Sequence, residues 1–542
     1  MESLLSGDDE RQREDELPFW RNWVRVLFSS EHGARDRLWP RWIFLRCLGL
    51  IYFSAFYSLV FQVKGLIGVD GILPARTYLR VIAEGAPGIT RFWYAPTLYW
   101  ISTSTGFIYA LCWVGLIASL LLLLNLWPRG MLVLCFLCFL SFVGAAGDFS
   151  SYQSDGMLLE AGFICLFFAP PGWRPGLAAS HPPSRASLFL LQWEWLRIYF
   201  ESGIVKLASG DVQWRNFTAM DEYYQNGPLP TWIGWYIQHL PHTLHAFATG
   251  ATLVMELGLI WMILLPRRFR IVLFAIVCSW EVMVIATANY AFLNYLVLSL
   301  GILLVDDRFV LSVFRRKDIV FTTEAQRHRE LEFLGRHWRA ARLAVATVML
   351  TWVFYATAAE LLLLLWRGAP VPTEPVAVLE PFRIANQYGL FAVMTRGRYE
   401  IEFQGSMDGE HWTAYPFRYK PQALNEAPKV YAPYQPRFDW NLWFASLDNW
   451  RNAPIVPNAE VQLLRNQRDV LGLFAGNPFA SAPPRQVRAV LWQYWFTTMD
   501  EKRTTGNWWR REFLGLYAPT VELGEDGRPR FVREPVVESR EP

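Results

Sequence analysis

Apolar and polar positions follow two different rhythms along the chain. Up to about residue 366, long apolar runs alternate with short polar connections; beyond it, apolar and polar residues alternate over much shorter distances. A helix that crosses a ~30 Å hydrocarbon core needs ~20 mostly apolar residues. Runs that reach or approach that length lie at 42–63, 104–124, 131–146, 157–170, 187–207, 244–265, 271–288, 290–305 and 343–366. The pattern predicts a polytopic α-helical bundle of about eight or nine membrane segments. The third, fourth and eighth runs are short, which fits tilted, re-entrant or paired segments.

The run from Leu188 is unlike the others. It begins LFLLQW and is then interrupted by Glu194, Arg197, Glu201 and Lys206. Positions 194, 197 and 201 share one helical face. A charge in hydrocarbon costs a few kcal/mol or more, so this face is predicted to turn toward protein or a wet cavity. A polar, aromatic loop follows, with Trp214, Arg215, Asp221, Tyr223 and Tyr224. Other apolar runs carry isolated acids: Asp155 and Glu160 around the fourth, Glu256 in the sixth and Glu281 in the seventh. Glu160 is expected to face Arg197 or Lys206 in a buried network that fixes helix register. Alternatively, Glu194, Arg197, Glu201, Lys206, Glu256 and Glu281 are candidate catalytic groups, because clustered intramembrane carboxylates serve proton relays and acid–base pairs.

Basic residues orient the segments. Arg-rich positions precede the first run, and nine Lys or Arg lie between 306 and 342, whereas 147–156 has none. By the positive-inside rule, residues 1–41 form a cytoplasmic segment and 42–366 the membrane domain. With nine crossings, everything after residue 366 lies outside the cytoplasm. The loop 64–103, with Lys64, Arg76, Arg80 and Arg91, fits this scheme less well.

The Pro-rich stretch 367–381 reads as a linker. Residues 382–520 then read as a soluble α+β domain with a β-sheet. The stretch 398–420 is a hairpin around Met407-Asp408-Gly409, 388–395 and 428–434 are strand-like, and 458–475 and 484–496 are helical. TTGNWWRREFLGLYAP is a closing strand, and 521–542 is a polar, poorly ordered tail.

Composition agrees with this division. The chain is 53% apolar and only 18% charged, below the quarter typical of soluble domains, and its 27 Trp suit interfacial belts. No basic tract resembles a nucleic-acid footprint. All six cysteines lie in apolar runs and none after Cys278, which excludes a disulfide framework in the soluble part. Cys135-x-x-Cys138 reads as two small buried side chains rather than a redox pair. His239, His242 and His245 flank a proline that breaks their common face, so helix-end hydrogen bonds are expected and no metal site. Asn216-Phe217-Thr218 is a glycosylation sequon that carries meaning only in a eukaryotic secretory compartment. The N-terminus lacks a signal-peptide core, so the first run is expected to act as its own insertion signal. No Ser-His-Asp spacing, G-x-S-x-G, phosphate loop or H-E-x-x-H appears, which weighs against an enzyme.

Several ordered blocks carry a family resemblance over residues 40–519. DGMLLEAGF starts at Asp155 and contains Glu160. FESGIVKLASGD starts at Phe200 and leads to Trp214-Arg215-Asn216-Phe217-Thr218-Ala219-Met220-Asp221. Asn289-Tyr290 precedes Phe292-Leu293-Asn294. In the soluble part, NQYGLF from Asn386, FRYKP from Phe417, PYQPRFDWNLWF from Pro433, Asn477-Pro478-Phe479, Arg488 and Trp508-Trp509 continue the series. Together these resemble the lipase maturation factors, polytopic endoplasmic-reticulum proteins that help secreted lipases reach an active fold. The resemblance implies membrane lipids and secreted lipase-like or other exported clients as partners, no nucleic acid, no cofactor and a noncovalent mechanism. It implies the reticulum membrane in a eukaryote. In a bacterium it implies the inner membrane, with the C-terminal domain in the periplasm. Asn477, Pro478, Phe479, Arg488, Trp508 and Trp509 are expected to serve domain integrity or client contact, with Asp155, Glu160, Trp214, Asn289 and Tyr290 in the same signature. Eukaryotic members carry lumenal cysteines, and the soluble part here has none. A fainter resemblance is to vitamin-K-dependent carboxylases, which would place the intramembrane charges in a lipid-accessible pocket. A membrane scaffold without client chemistry is the third reading.

Overall fold

The computed structural model describes residues 19–314 and 332–535. Expectations for residues 1–18, for Arg315, Arg316, Lys317, Arg327 and Arg329, and for residues 536–542 fall outside them.

Each apolar run forms a helix. They are α1 (Leu38–Ile67), α2 (Thr105–Leu123), α3 (Pro128–Val143), α4 (Gln153–Phe168), α5 (Arg185–Ala208), α6 (His242–Leu257, extended as a 3-10 turn), α7 (Arg267–Thr287), α8 (Leu293–Gly301) and α9 (Glu332–Leu365). Among the described residues, five helical stretches are long and apolar enough to cross a membrane: Leu38–Ile67, Thr105–Leu123, His242–Leu264, Arg267–Thr287 and Trp338–Leu365. The others fall short in length or in apolar character, so the count of eight or nine crossings does not follow from the helices alone. Helix α1 is central, with 67% of its apolar stretch buried in protein, against 17% for α7.

The C-terminal part is α+β. An antiparallel sheet runs β2–β1–β3–β5–β6, and β4 also pairs with β3. Its strands are β1 (Arg398–Ser406), β2 (Thr413–Ala414), β3 (Gln486–Phe496), β4 (Trp509–Leu516), β5 (Thr520–Leu523) and β6 (Pro529–Arg533). The hairpin expected around Asp408 is present. Asp408 accepts the N–H groups of Glu410 and His411 at 2.9 and 2.8 Å, and Gly409 takes the left-handed conformation (φ 82°). On one face, Ile401, Phe403, Val487, Ala489 and Leu491 pack into the main core beneath α10 (Arg437–Ser446) and α11 (Ile455–Leu464).

Four expectations are corrected. Residues 484–496 contain β3, the central strand, not a helix. The polar tail is structured as far as it is described, because β5 and β6, between residues 520 and 533, extend the sheet. The stretches 388–395 and 428–434 form no strand. The helix expected over 458–475 stops at Leu464 and resumes as one short turn, Arg468–Leu471, because Asn466 adopts positive φ (52°).

The C-terminal part is not separated from the bundle. Gly65 of α1 lies so close to the Arg468–Leu471 turn that a Cβ there would stand 2.4 Å from the Asp469 carbonyl oxygen. Arg437 of α10 makes a bidentate pair with Asp155 of α4 at 2.7 and 2.8 Å, and both side chains are fully buried.

Candidate functional site

Helix α5 turns its charged face inward. Glu194, Arg197 and Glu201 are fully buried and Lys206 is 2% exposed. What they meet is a stretch from the far end of the chain. After the linker, residues 383–395 run as irregular backbone across α4 and α5. Irregular backbone buried among helices persists only where other protein groups satisfy its peptide groups. The α5 charges do so. Arg197 donates to the Asn386 carbonyl at 2.6 Å and pairs with Glu160, and Glu201 accepts the Tyr388 N–H at 2.6 Å. Lys206 donates to the Leu390 carbonyl at 3.0 Å and to Glu256 at 2.8 Å. Glu160 accepts from the Asn386 backbone and side chain, each at 3.0 Å, and from the Tyr388 hydroxyl at 2.9 Å. Asp211 accepts the Met394 N–H at 2.7 Å, and Trp214 donates to the Phe391 carbonyl at 3.0 Å. Gly156 is bare because a Cβ would lie 2.7 Å from Asn386 Oδ1.

The expected Glu160–Arg197 contact is present. Glu194 lies within the same field of Arg197 without joining a tight pair. Glu281 is held apart, taken up by Tyr199 and by Asn294 at 2.7 Å. The six candidate catalytic groups therefore do not line one open pocket; Arg197, Glu201 and Lys206 are engaged by residues 386–390, and Glu256 by Lys206. Asp155 pairs with Arg437, a partner the sequence pattern does not single out although it lies in the PYQPRFDWNLWF block. Asn386 and Tyr388 lie in the NQYGLF block, whose composition alone assigns them no buried partner. The usable signal was that buried charges need partners.

Beside the inserted segment lies a half-open cavity of about 380 Å³, within the ~300–1,000 Å³ range of small-molecule pockets. Tyr290 and Phe391 are 5.1 Å apart between ring centroids, Tyr223 and Phe391 5.9 Å, Tyr152 and Trp440 5.7 Å, and Tyr152 and Phe444 6.0 Å. Its walls come from three regions: the loop after α5, the turns before α4 and α8, and the C-terminal part. At its mouth, Val393 and Phe444 are 67% and 46% exposed. Neighbouring Asn289 ties the parts together, donating to the Lys429 carbonyl at 2.8 Å and accepting the Tyr431 N–H at 2.6 Å.

The remaining signature residues hold the C-terminal part. Asn477 caps the Phe479 N–H at 2.9 Å, and Phe479 packs on Tyr415. Trp509 is buried against Phe496, and Arg488 stacks on Trp412 at 4.0 Å. Pro478 opens the turn between them. Trp508 packs on Trp235 of the short helix Trp232–Gln238 in the loop between α5 and α6. The three histidines do not converge: His239 lies within 2.7 Å of the Trp235 carbonyl, His242 pairs with Asp221, and His245 lies on Tyr224. Among the described residues, no group of three His, Cys, Asp or Glu could hold a metal ion. Cys135 and Cys138 are free and buried.

Comparison with known proteins accounts for both halves. Residues 39–312 match the family model "Lipase maturation factor transmembrane domain", and residues 384–519 match "Lipase maturation factor C-terminal domain". Lipase maturation factor 2 of Gallus gallus is 30% identical, over 90% of this chain and 82% of its own. The Homo sapiens protein of that name is 29% identical, over 94% and 86%. Lipase maturation factor 1 of Bos taurus is 30% identical, over 89% and 88%. No solved structure matches. With one family model spanning half the chain and relatives aligned over most of it, the chain belongs to the lipase maturation factor family.

Proposed function

We propose that this chain is a membrane-embedded maturation factor that assists folding or assembly of secreted lipases or other exported proteins, with its C-terminal domain outside the cytoplasm. In a eukaryote it would sit in the endoplasmic-reticulum membrane; in a bacterium, in the inner membrane with that domain in the periplasm. The observation that carries the reading is the aromatic cavity at the joint, open at Val393 and Phe444. An aromatic wall offers large apolar area with little side-chain entropy to lose, so it suits transient capture of an exposed apolar client segment. The intramembrane charges serve architecture, because they satisfy the inserted backbone. The carboxylase-like alternative needs those charges to line a pocket, whereas Arg197, Glu201 and Lys206 are closed against residues 386–390 and Glu256 is paired with Lys206.

The test is lipase activity per unit of secreted lipase protein in cells with and without the chain. Specific activity is expected to fall on deletion and to return with the wild-type chain and with Glu201→Gln, which retains an acceptor for Tyr388. Restoration by a Phe444→Asp, Val393→Asp double variant to the wild-type level would remove the cavity from the mechanism. An unchanged activity on deletion would remove lipases from the client set.

A further inference from the structure

A second cleft, of about 310 Å³, lies where α1 meets the C-terminal part. One wall is the surface of the span. Tyr57 and Phe61, one turn apart, are 43% and 61% exposed, and Leu50 on the same stripe is 52% exposed. On an apolar helix of 30 residues, such a stripe faces acyl chains. The other wall comes from the C-terminal part. The Tyr434 ring is 6.2 Å from Tyr57 and 5.3 Å from Tyr419, and Gln62 donates to the Tyr434 hydroxyl at 3.1 Å. Asp439 is buried at the cleft, with Oδ1 accepting the N–H groups of Tyr419 and Lys420, both at 3.3 Å. Arg418 borders the same cleft, is exposed, and forms no ion pair among the described residues.

The cleft thus combines three tyrosine rings, a fixed carboxylate and an unpaired guanidinium at the edge of a lipid-facing helix. Aromatic rings with an acid attract an ammonium group. A guanidinium matches a phosphate in shape and charge. Above about pH 7, where the buried Asp439 is ionised, one acid and one base together match a headgroup of zero net charge. We propose that this cleft binds a zwitterionic phospholipid, its choline or ethanolamine group among Tyr57, Tyr419, Tyr434 and Asp439, its phosphate on Arg418, and its acyl chains along Leu50, Tyr57 and Phe61. The site is separate from the aromatic cavity and does not depend on the client reading.

The full chain, purified in detergent, is incubated at pH ~8, above the Asp439 midpoint of about 7, with an equimolar mixture of phosphatidylcholine, phosphatidylethanolamine and phosphatidylglycerol of one acyl composition. Lipid retained per protein is then counted by mass spectrometry. Retention of the two zwitterionic lipids is expected to exceed that of phosphatidylglycerol by about tenfold. Arg418→Ala and Tyr57→Ala are each expected to lower it by about fivefold at unchanged melting temperature, since both side chains are exposed. Phe513→Ala, on the distant strand β4, is expected to leave it unchanged. Equal retention of phosphatidylglycerol overturns the proposal, as does retention unaffected in both cleft variants. Displacement of the lipid by millimolar inorganic phosphate also overturns it, by showing a bare anion site.

Discussion

At the residue scale, the buried ion pairs do the work of backbone hydrogen bonding. Arg197 and Glu160 have side chains 0% and 1% exposed, and each also holds a peptide group of the inserted segment. Removing one partner leaves the other charge buried, at a cost of ~3–5 kcal/mol. Glu160→Gln is therefore expected to lower the yield and melting temperature of the purified chain sharply. Tyr388→Phe, which loses one bond to Glu160, is expected to cost only ~1–3 kcal/mol. Equal melting temperatures for wild type and Glu160→Gln would contradict this assignment. Asp439 makes a pH prediction. Burial pushes its carboxyl up to about 7, despite Lys420 and two N–H donors, whereas an unfolded Asp titrates near ~3.9. Between these values the native state holds a proton that the unfolded chain has lost. The Asp439 contribution is thus favourable at low pH and is lost as pH rises through about 7. Asp439→Asn, which keeps an acceptor for both N–H groups, is expected to flatten the fall in melting temperature between pH ~5 and ~8. An unchanged slope would assign it to another group.

At the scale of elements, the fit of helices to strands and turns decides the fold. Gly65→Leu places atoms where the Asp469 carbonyl stands, and overpacking of this kind costs ~1–3 kcal/mol. Faster limited proteolysis of the C-terminal part is the expected result, because the change loosens its seat on α1. Truncation after Pro519 removes β5 and β6 and bares the edge of β3 at Gln486 and Val487. It is expected to reduce yield and promote aggregation, where a disordered tail would be dispensable. The long apolar helices were legible because a membrane segment writes its length directly into composition. The charged face of α5 was legible too, since 194, 197 and 201 fall on one side. The errors have a common cause in long-range pairing. QVRAVLWQYWF reads as an amphipathic helix when taken alone. It is a strand because β1 and β4 supply hydrogen bonds along its two edges. YGLFAVMT has strand-like composition, yet its peptide groups are bonded by Glu201, Ser202, Lys206 and Asp211. The polar PRFVR pairs through backbone, which side-chain composition does not report.

At the scale of the molecule, the two family regions form one assembly. The linker returns the chain to the bundle, where residues 383–395 occupy the α5 face and bring Phe391 and Val393 to the aromatic cavity. Arg398 reinforces the joint from the sheet, donating to the carbonyls of Gln225 and Pro228 in the loop after α5 at 3.0 and 3.1 Å. Trp235 fills the sheet's second face against Trp508. Under the proposed function, a client captured at this joint would touch the membrane part, the loop and the C-terminal part together. The most direct measurement is site-specific photocrosslinking in cells that express a secreted lipase. A photoreactive residue replaces Val393 at the mouth of the cavity in one strain and Phe513 on β4 in another. The account predicts a lipase adduct from position 393 that disappears when Phe444→Asp is added, and none from 513. Adducts from 513 but not 393 would contradict it and move client contact to the outer strand of the sheet.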